Sequence, residues 1–380
     1  MSQRSLGGPD GPRVETTRKG VDYLLRPYEA GDAERIEPLL GPDGSEEFEA
    51  WFRGTYLENP YVDHVPMFVA EADGEIVGTR PFTAYRVRAG SETDLALLHR
   101  DTVVHPDHQR KGLFTALTRL ALDYYEEREP AFTFGHSNTK SFPGYRKLGW
   151  ESLGRRETYA RVQRADRLVD LKTRQSLARV LAPIAGTANR LHLAARDAVS
   201  HAPDDVTVTR YDTVPVSTMA ALYERKRPAT PHVVRDEAFF RWRFGNPEWH
   251  PATAYVAERD GEPVAGVVAR DVDGVLSATS IVDLVPRTGG NDWAGAVASL
   301  LDRILADSSD VDSVYLRNPV IPTEILRARG FMSSHRLPLS LLVGEQEVIT
   351  LGVKPLGTEP VTIGGYPVEA AREELWSVGH

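Results

Sequence analysis

Gln109-Arg110-Lys111-Gly112-Leu113-Phe114 stands where a strand, Asp94 to Val104, passes through His105-Pro106-Asp107-His108 into a helical pattern. A strand, a short basic loop with glycine and a helix start together make an anion site. The first N–H groups of a helix lack intrahelical acceptors, and the helix dipole is positive there. Gly112 lets the backbone approach a phosphate closely, and Arg110 and Lys111 add full charge. A strand-to-helix junction that binds nothing has the same pattern, and the loop alone does not separate the two. His105 and His108 are a pair of potential metal ligands. No clear third ligand stands nearby and the chain has no cysteine, so both read as loop residues and no metal is expected.

The elements that must position this loop are legible around it. Leu113, Ala116, Leu117, Leu120, Ala121 and Tyr124 mark the buried face of the helix that follows. Ala131 to Gly135 is a further apolar strand, ending in His136-Ser137-Asn138. Tyr145-Arg146-Lys147-Leu148-Gly149-Trp150 is a short helix stopping at a C′ glycine. Upstream, Phe68 to Gly78 reads as a hairpin closed by Asp73-Gly74, and Tyr255 to Gly266 repeats it around Asp260-Gly261. Asn59-Pro60 and Asn246-Pro247 share the 187-residue offset of the hairpins. Pro106 and Pro286 lie 180 residues apart, and Lys147 to Trp150 matches Ala328 to Phe331 at 181. Four ordered landmarks indicate an internal duplication, with about seven extra residues in one copy, a tolerable loop difference.

The first copy resembles the GNAT superfamily, the GCN5-related N-acetyltransferases. Gln109 and Gly112 match that family's acetyl-CoA loop; Asn138, Tyr145 and Lys147-Leu148-Gly149-Trp150 match its tail. Phe114 departs from the usual small residue and is tolerable if its ring points into the core. The resemblance implies an α/β (α+β) fold of two tandem GNAT units, each a mixed, largely antiparallel twisted sheet flanked by helices. It also implies roles. The backbone of Arg110, Lys111, Gly112, Leu113, Phe114 and Thr115, beside Gln109, would cradle the pyrophosphate of acetyl-CoA. Thr102, Val103 and Val104 would pair with the pantetheine arm, and Asn138 would bind cofactor from the next strand. Tyr145 would donate a proton to the departing thiolate. A thiol of pKa near 8.5 is a moderately basic leaving group that a phenol can protonate. An amine acceptor is mostly protonated at pH 7, so a base or water relay is needed; Asp101 is the first candidate and His136 the second.

The second copy lacks this chemistry. Gly289-Gly290-Asn291-Asp292-Trp293-Ala294 faces Gln109 to Phe114, so Asp292 replaces Gly112 and no basic residue falls inside the segment. Leu326 stands where the first copy has Tyr145. A catalytic GNAT domain followed by a degenerate one is similar to the enhanced intracellular survival acetyltransferases, without their sterol-carrier-like domain. In that family the terminal carboxylate is the base, which here would be that of His380. The expected organisation is a disordered leader over 1–20, a catalytic domain over 21–160, a helical connector over 161–205, a degenerate domain over 206–343 and a tail over 344–380.

Composition narrows the function classes. The chain has 380 residues, 41% hydrophobic and 26% charged, which excludes disordered, collagen-like and membrane-bundle chains. A net charge of -9 argues against nucleic acid as a partner. No run reaches the roughly 18 apolar residues of a membrane span, and the polar N-terminus has no signal-like apolar core, so a cytoplasmic setting is expected. The reading is an acetyl-CoA-dependent N-acetyltransferase acting by direct attack on a small-molecule or peptide amine. The alternatives are a non-catalytic acyl-CoA-binding module and an aminoacyl transferase.

Overall fold

Local turn chemistry sets the frame of both halves. In the computed structural model Asp73 and Gly74 take φ of 51° and 80°, and Asp260 and Gly261 take 53° and 78°. Both residues of a two-residue hairpin turn need positive φ to match the twist of the strands, which is why Asp-Gly closes both hairpins. The structure describes residues 10–41, 46–165, 205–246, 251–318, 320–336, 348–357 and 360–378, with Gly8, Arg167, Pro203 and scattered positions from 186 to 196.

In chain order the first half has β1 (Val14–Arg18), β2 (Val21–Pro27), α1 (Asp32–Leu40) and α2 (Glu46–Phe52), which runs into a π-helical turn at Arg53–Leu57. Then come β3 (Met67–Ala72), β4 (Glu75–Ala89), β5 (Glu92–His99), β6 (Val103–Val104) and α3 (Leu113–Tyr125). β7 (Phe132–Asn138), α4 (Phe142–Lys147), β8 (Glu151–Arg155) and β9 (Thr158–Val162) follow. The second half has β10 (Val206–Tyr211), α5 (Val216–Arg225), β11 (His232–Val233), α6 (Glu237–Phe244), β12 (Thr253–Arg259) and β13 (Glu262–Val272). It continues with β14 (Ala278–Val285), α7 (Asn291–Asp307), β15 (Ser313–Arg317), α8 (Thr323–Ala328) and β16 (Met332–Ser333). The last segment holds β17 (Ile349–Pro355), the small hairpin β18 (Thr362–Ile363) and β19 (Tyr366–Pro367), and α9 (Arg372–Ser377).

Two large sheets result. The first has the order β1-β2-β3-β4-β5-β7-β17-β8, with β6 and β11 also on β4. The second has the order β10-β12-β13-β14-β15-β9-β16. Among the described residues only the β5–β7 and β14–β15 pairs are parallel, each joined by a crossover helix, α3 or α7. This is the α/β architecture of two tandem GNAT-like folds. α3 packs on the first sheet and α5 on β13 and β14 of the second, and with α6 they share one core that spans both sheets, while α7 covers a separate core on the second.

The halves exchange strands. β9 follows β8 in sequence but pairs with β15 and β16, while β17 follows β16 and inserts between β7 and β8. Three sequence expectations change accordingly. Residues 158–160, assigned to the first domain, belong to the second sheet. The tail over 344–380 supplies an inner strand of the first. Residues 14–18, assigned to the disordered leader, form β1, paired with β2 across a Lys19-Gly20 turn at φ of 50° and 79°. Strand partners are chosen by non-local packing, which a local pattern does not report. Most of the connector, and residues 337–347 and His380, lie outside the described residues. Among the described residues no helix is long and apolar enough to cross a membrane.

Candidate active site where two strands part

β5 and β7 are bonded only over Ala96–Leu98 and Phe132–Phe134. Beyond that they diverge. The chain after β5 bends through Arg100, Asp101 and Thr102 to reach β6, which stays on β4 through Val103–Thr79 and Val104–Gly78. β7 instead runs on to Asn138, held on its other side by β17. Pro81 explains the break. Phe82 N–H points to β3, bonding Pro66 O at 2.9 Å, so position 81 faces the β5–β6 side, where proline has no N–H to donate. Asp101 takes φ of 45° in the resulting bulge. The opening is a wedge edged by Thr102–Val104 and Gly135–Asn138.

At its mouth a short 3₁₀ turn, Pro106–His108, leads to Arg110 at φ 59° and Gly112 at φ 82°, the N-cap of α3. Ala116 N–H closes the first turn onto Gly112 O at 3.0 Å, which leaves the amides of Leu113, Phe114 and Thr115 without intrahelical acceptors. The Gln109 side chain donates to Val104 O at 3.0 Å and so ties the loop to β6. The Leu113 side chain is core, so only its amide can face a ligand. Arg18 of β1 was not apparent from sequence: a Cβ built on Gly112 would lie 3.1 Å from its Nη1. It sits in the stretch expected to be disordered, and its Nε is buried without a partner.

Tyr145 lies on α4, 4% exposed, with its ring stacked on His99 at 4.3 Å and meeting Phe114 edge-on at 5.0 Å. The Phe114 ring therefore packs inward, against Tyr145 and over Gly144. Arg80 Nη1 donates to the Tyr145 hydroxyl at 2.6 Å and to Thr102 Oγ1 at 2.9 Å. Burial, reinforced by Arg80, holds His99 well below the ordinary histidine range, so it is neutral. Gly135 makes room for that ring, since a Cβ there would fall 2.3 Å from His99 Nε2. Neither Arg80 nor His99 was singled out by sequence; a cation and an imidazole within otherwise apolar strands were the available signal.

The other expected residues are arranged differently. Asp101 accepts from Tyr56 Oη and from Arg100 Nε through one oxygen, Oδ2, each at 2.7 Å, and its side chain is half-buried. Among the described residues Oδ1 accepts no hydrogen bond. Burial and then Arg156 push the His136 imidazole down to about 3, and it is hydrogen-bonded to the backbone of Leu375 in α9. So weak a base is a poor proton acceptor for an amine. Asn138 Oδ1 accepts from Lys140 N, Ser141 N and Ser141 Oγ at 3.1, 2.9 and 3.0 Å, shaping the turn into α4. Its carbonyl oxygen is thus committed within the protein. His108 Nδ1 lies 2.9 Å from Tyr23 Oη, and among the described residues no metal-binding group of three His, Cys, Asp or Glu occurs.

The second half has the same frame without these groups. Trp150 N–H bonds Tyr145 O and Phe331 N–H bonds Leu326 O, which makes Leu326 the counterpart of Tyr145. A Cβ on Gly289 would fall 2.1 Å from Trp293, so that loop is closed over an indole whose Nε1 donates to Pro286 O at 2.9 Å. Asp292 occupies the first turn of α7 and pairs with Arg259 at 2.8 Å.

Residues 43–153 match the family model described as acetyltransferase (GNAT) domain. No curated protein matches the sequence. Among solved structures, a conserved protein from Enterococcus faecalis V583 described as a probable N-acyltransferase aligns at TM-score 0.58 and 12% identity, over 88% of this chain and 72% of that one. GCN5-related N-acetyltransferases from Kribbella flavida and Anabaena variabilis align at TM-scores 0.55 and 0.54, with 15% and 14% identity. Each covers 88% of this chain, and 71% and 73% of its own. At such identities these structures speak for the fold. Residues 43–153 therefore carry an acetyltransferase (GNAT) domain, the domain of an acyltransferase, set in tandem with a second GNAT-like sheet.

Proposed function

We propose that the chain is an acetyl-CoA-dependent N-acetyltransferase that acylates a primary amine on a small molecule or peptide by direct attack, both substrates being bound together. The observation that carries this is the wedge between β5 and β7, open along Thr102–Val104 and Gly135–Asn138, with bare amides at its mouth. The amides of Leu113 to Thr115 and the charges of Arg18, Arg110 and Lys111 suit a pyrophosphate, and the unpaired strand edges suit the amide-bearing pantetheine arm. Acetyl-CoA supplies an acyl group on a moderately basic thiol.

The protein's part is to position and to manage protons. Backbone groups along Thr102–Val104 orient the thioester. The Tyr145 hydroxyl protonates the leaving sulfur, a contribution of roughly 10²–10⁴ in rate. Asp101 Oδ1 accepts the amine proton directly or through water, and its carboxylate favours a cationic acceptor, in keeping with the net charge of -9.

Calorimetric titration with acetyl-CoA tests the reading. One site per chain is expected, lost in Gly112→Asp, which puts a carboxylate at the helix N-terminus at a φ of 82°. Tyr145→Phe should retain the cofactor and lose turnover in a thiol-release assay across a panel of amines. No binding at high micromolar acetyl-CoA would overturn the reading. Binding with no turnover of any amine would favour an acyl-CoA-binding module.

A further inference from the structure

Arg80 differs from Arg26 and Arg235, the other arginines no more than 2% exposed. Arg26 is forked onto Asp32 and Glu71, and Arg235 onto Asp283 and Glu374. Arg80 is 0% exposed, and among the described residues no carboxylate pairs with it. Its Nε and Nη2 find no acceptor. The remaining nitrogen, Nη1, is shared between two hydroxyls, Tyr145 Oη and Thr102 Oγ1. The rings of Phe82, Tyr145 and Trp150 surround the guanidinium at 4.8, 5.1 and 5.9 Å. A buried cation met only by hydroxyls and ring faces is costly to the fold, and an apolar side chain of similar volume would serve packing better.

We propose that Arg80 is the positioning residue that makes Tyr145 a proton donor and balances the charge Tyr145 acquires in the reaction. This rests on the acyl-transfer reading above. Arg80 Nη1–H occupies a lone pair of Tyr145 Oη, so the phenol's own proton is directed away from the guanidinium. As the amine nitrogen bonds to the thioester carbonyl carbon, the C–S bond breaks and its electron pair stays on sulfur. The sulfur takes the Tyr145 proton, which leaves a phenolate beside Arg80. The surplus proton of the attacking nitrogen passes to Asp101 Oδ1, directly or through water, and on to solvent, and solvent reprotonates the phenolate. The ion pair missing from the resting site is formed only during turnover, which places the stabilisation where it accelerates the reaction. The same Nη1 holds Thr102 at the edge of the wedge, so one side chain aligns both the proton donor and the strand end along which the thioester would lie.

The test uses the full-length chain as Arg80→Met, Arg80→Lys, Tyr145→Phe and the double variant Arg80→Met/Tyr145→Phe. Thermal midpoint, acetyl-CoA binding by calorimetry, kcat and KM are measured for each. Arg80→Met should keep or raise the midpoint, bind acetyl-CoA within about threefold of wild type and lose on the order of 10–100-fold in kcat. Arg80→Lys should recover part of that loss and serves if Arg80→Met does not fold. Because Arg80 acts through Tyr145, the double variant should be no slower than Tyr145→Phe alone. Losses that multiply in the double variant, or an Arg80→Met enzyme with wild-type kcat and a lowered midpoint, would assign Arg80 to structure and overturn the proposal. A wild-type protein that releases no thiol from acetyl-CoA with any amine would instead sink the acyl-transfer reading, and the proposal with it.

Discussion

The exchanged strand β17 can be weighed directly. Leu351 and Val353 point to the same face, are 0% and 2% exposed and belong to the core of the first sheet. Replacing both by alanine in the full-length chain removes about five methylene-equivalents. Leu→Ala costs about 2–5 kcal/mol and the two methyls of Val→Ala about 1.6 more, so the pair costs about 4–7 kcal/mol. Domain stabilities are about 5–15 kcal/mol, and a unit of 150–250 residues loses about 2–4 °C per kcal/mol. The first domain's melting transition should therefore fall by roughly 8–28 °C, read by calorimetry, with Val275→Ala as control because that side chain is 82% exposed. If the segment after the second copy were an appendage lying on the surface, the midpoint would barely change. A fall below about 3 °C would refute the pairing of β17 with β7 and β8.

Three further outcomes follow from the site. Gly135→Ala forces the His99 ring off Tyr145; it should cost about 1–3 kcal/mol in urea unfolding and lower kcat more than KM. Arg18→Ala should weaken acetyl-CoA about 10–100-fold by calorimetry, the worth of a charge-assisted hydrogen bond to an anion, with the melting temperature unchanged within about 2 °C. Stability should decline as pH falls below about 6.5, because the unfolded chain then protonates imidazoles that the folded chain holds neutral. With His136 held to about 3 in the fold, that group alone accounts for roughly 2 kcal/mol between pH 6.5 and 5, and His99 acts in the same direction. Carboxylates held down by arginines, such as Asp32 and Glu374, add their loss only at lower pH. Urea midpoints from pH 7 to 5 would show the decline, and His136→Gln should flatten it; an unchanged slope would contradict the burial of that imidazole.

What sequence revealed here is what adjacent residues decide. Asp73-Gly74, Asp260-Gly261 and Gly149 dictate backbone signs within one or two residues, and all appear with positive φ. The Gly112 loop is of the same kind, as is the inward Phe114. Arg80 and His99 were not legible, because their meaning lies in contacts with Tyr145, 65 and 46 residues away in the chain. Asp101 was visible as a carboxylate, but not its commitment of one oxygen to Tyr56 and Arg100. Asn138 matched a motif by spacing, and the spacing also serves the turn that starts α4. The exchange of β9 and β17 was hidden for the same reason: each has an ordinary strand pattern, and nothing in it says which sheet it joins.

That exchange accounts for the second half keeping its fold while lacking the chemistry. β9 and β17 occupy the same place in the two copies, next after the strand that follows the short helix, and each has crossed to the other sheet. The second copy's interior is fully packed, with Leu284, Leu300 and Leu316 at 0% exposure, although its loop is closed under Trp293 and Leu326 replaces the tyrosine. Loss of that interior would release β17 from the first sheet and, with it, the floor under α4, where a Cβ on Gly352 would touch Phe142 at 3.1 Å and Trp150 at 3.2 Å. It would also free α9, whose Glu374 is tied to Arg235 and whose Leu375 backbone holds His136. The residues that fold the second copy thus support the wedge of the first at one remove, through the strand and helix that follow them. Substitutions in the second copy's core should therefore lower the first domain's stability, whereas substitutions in its closed loop should leave the wedge intact.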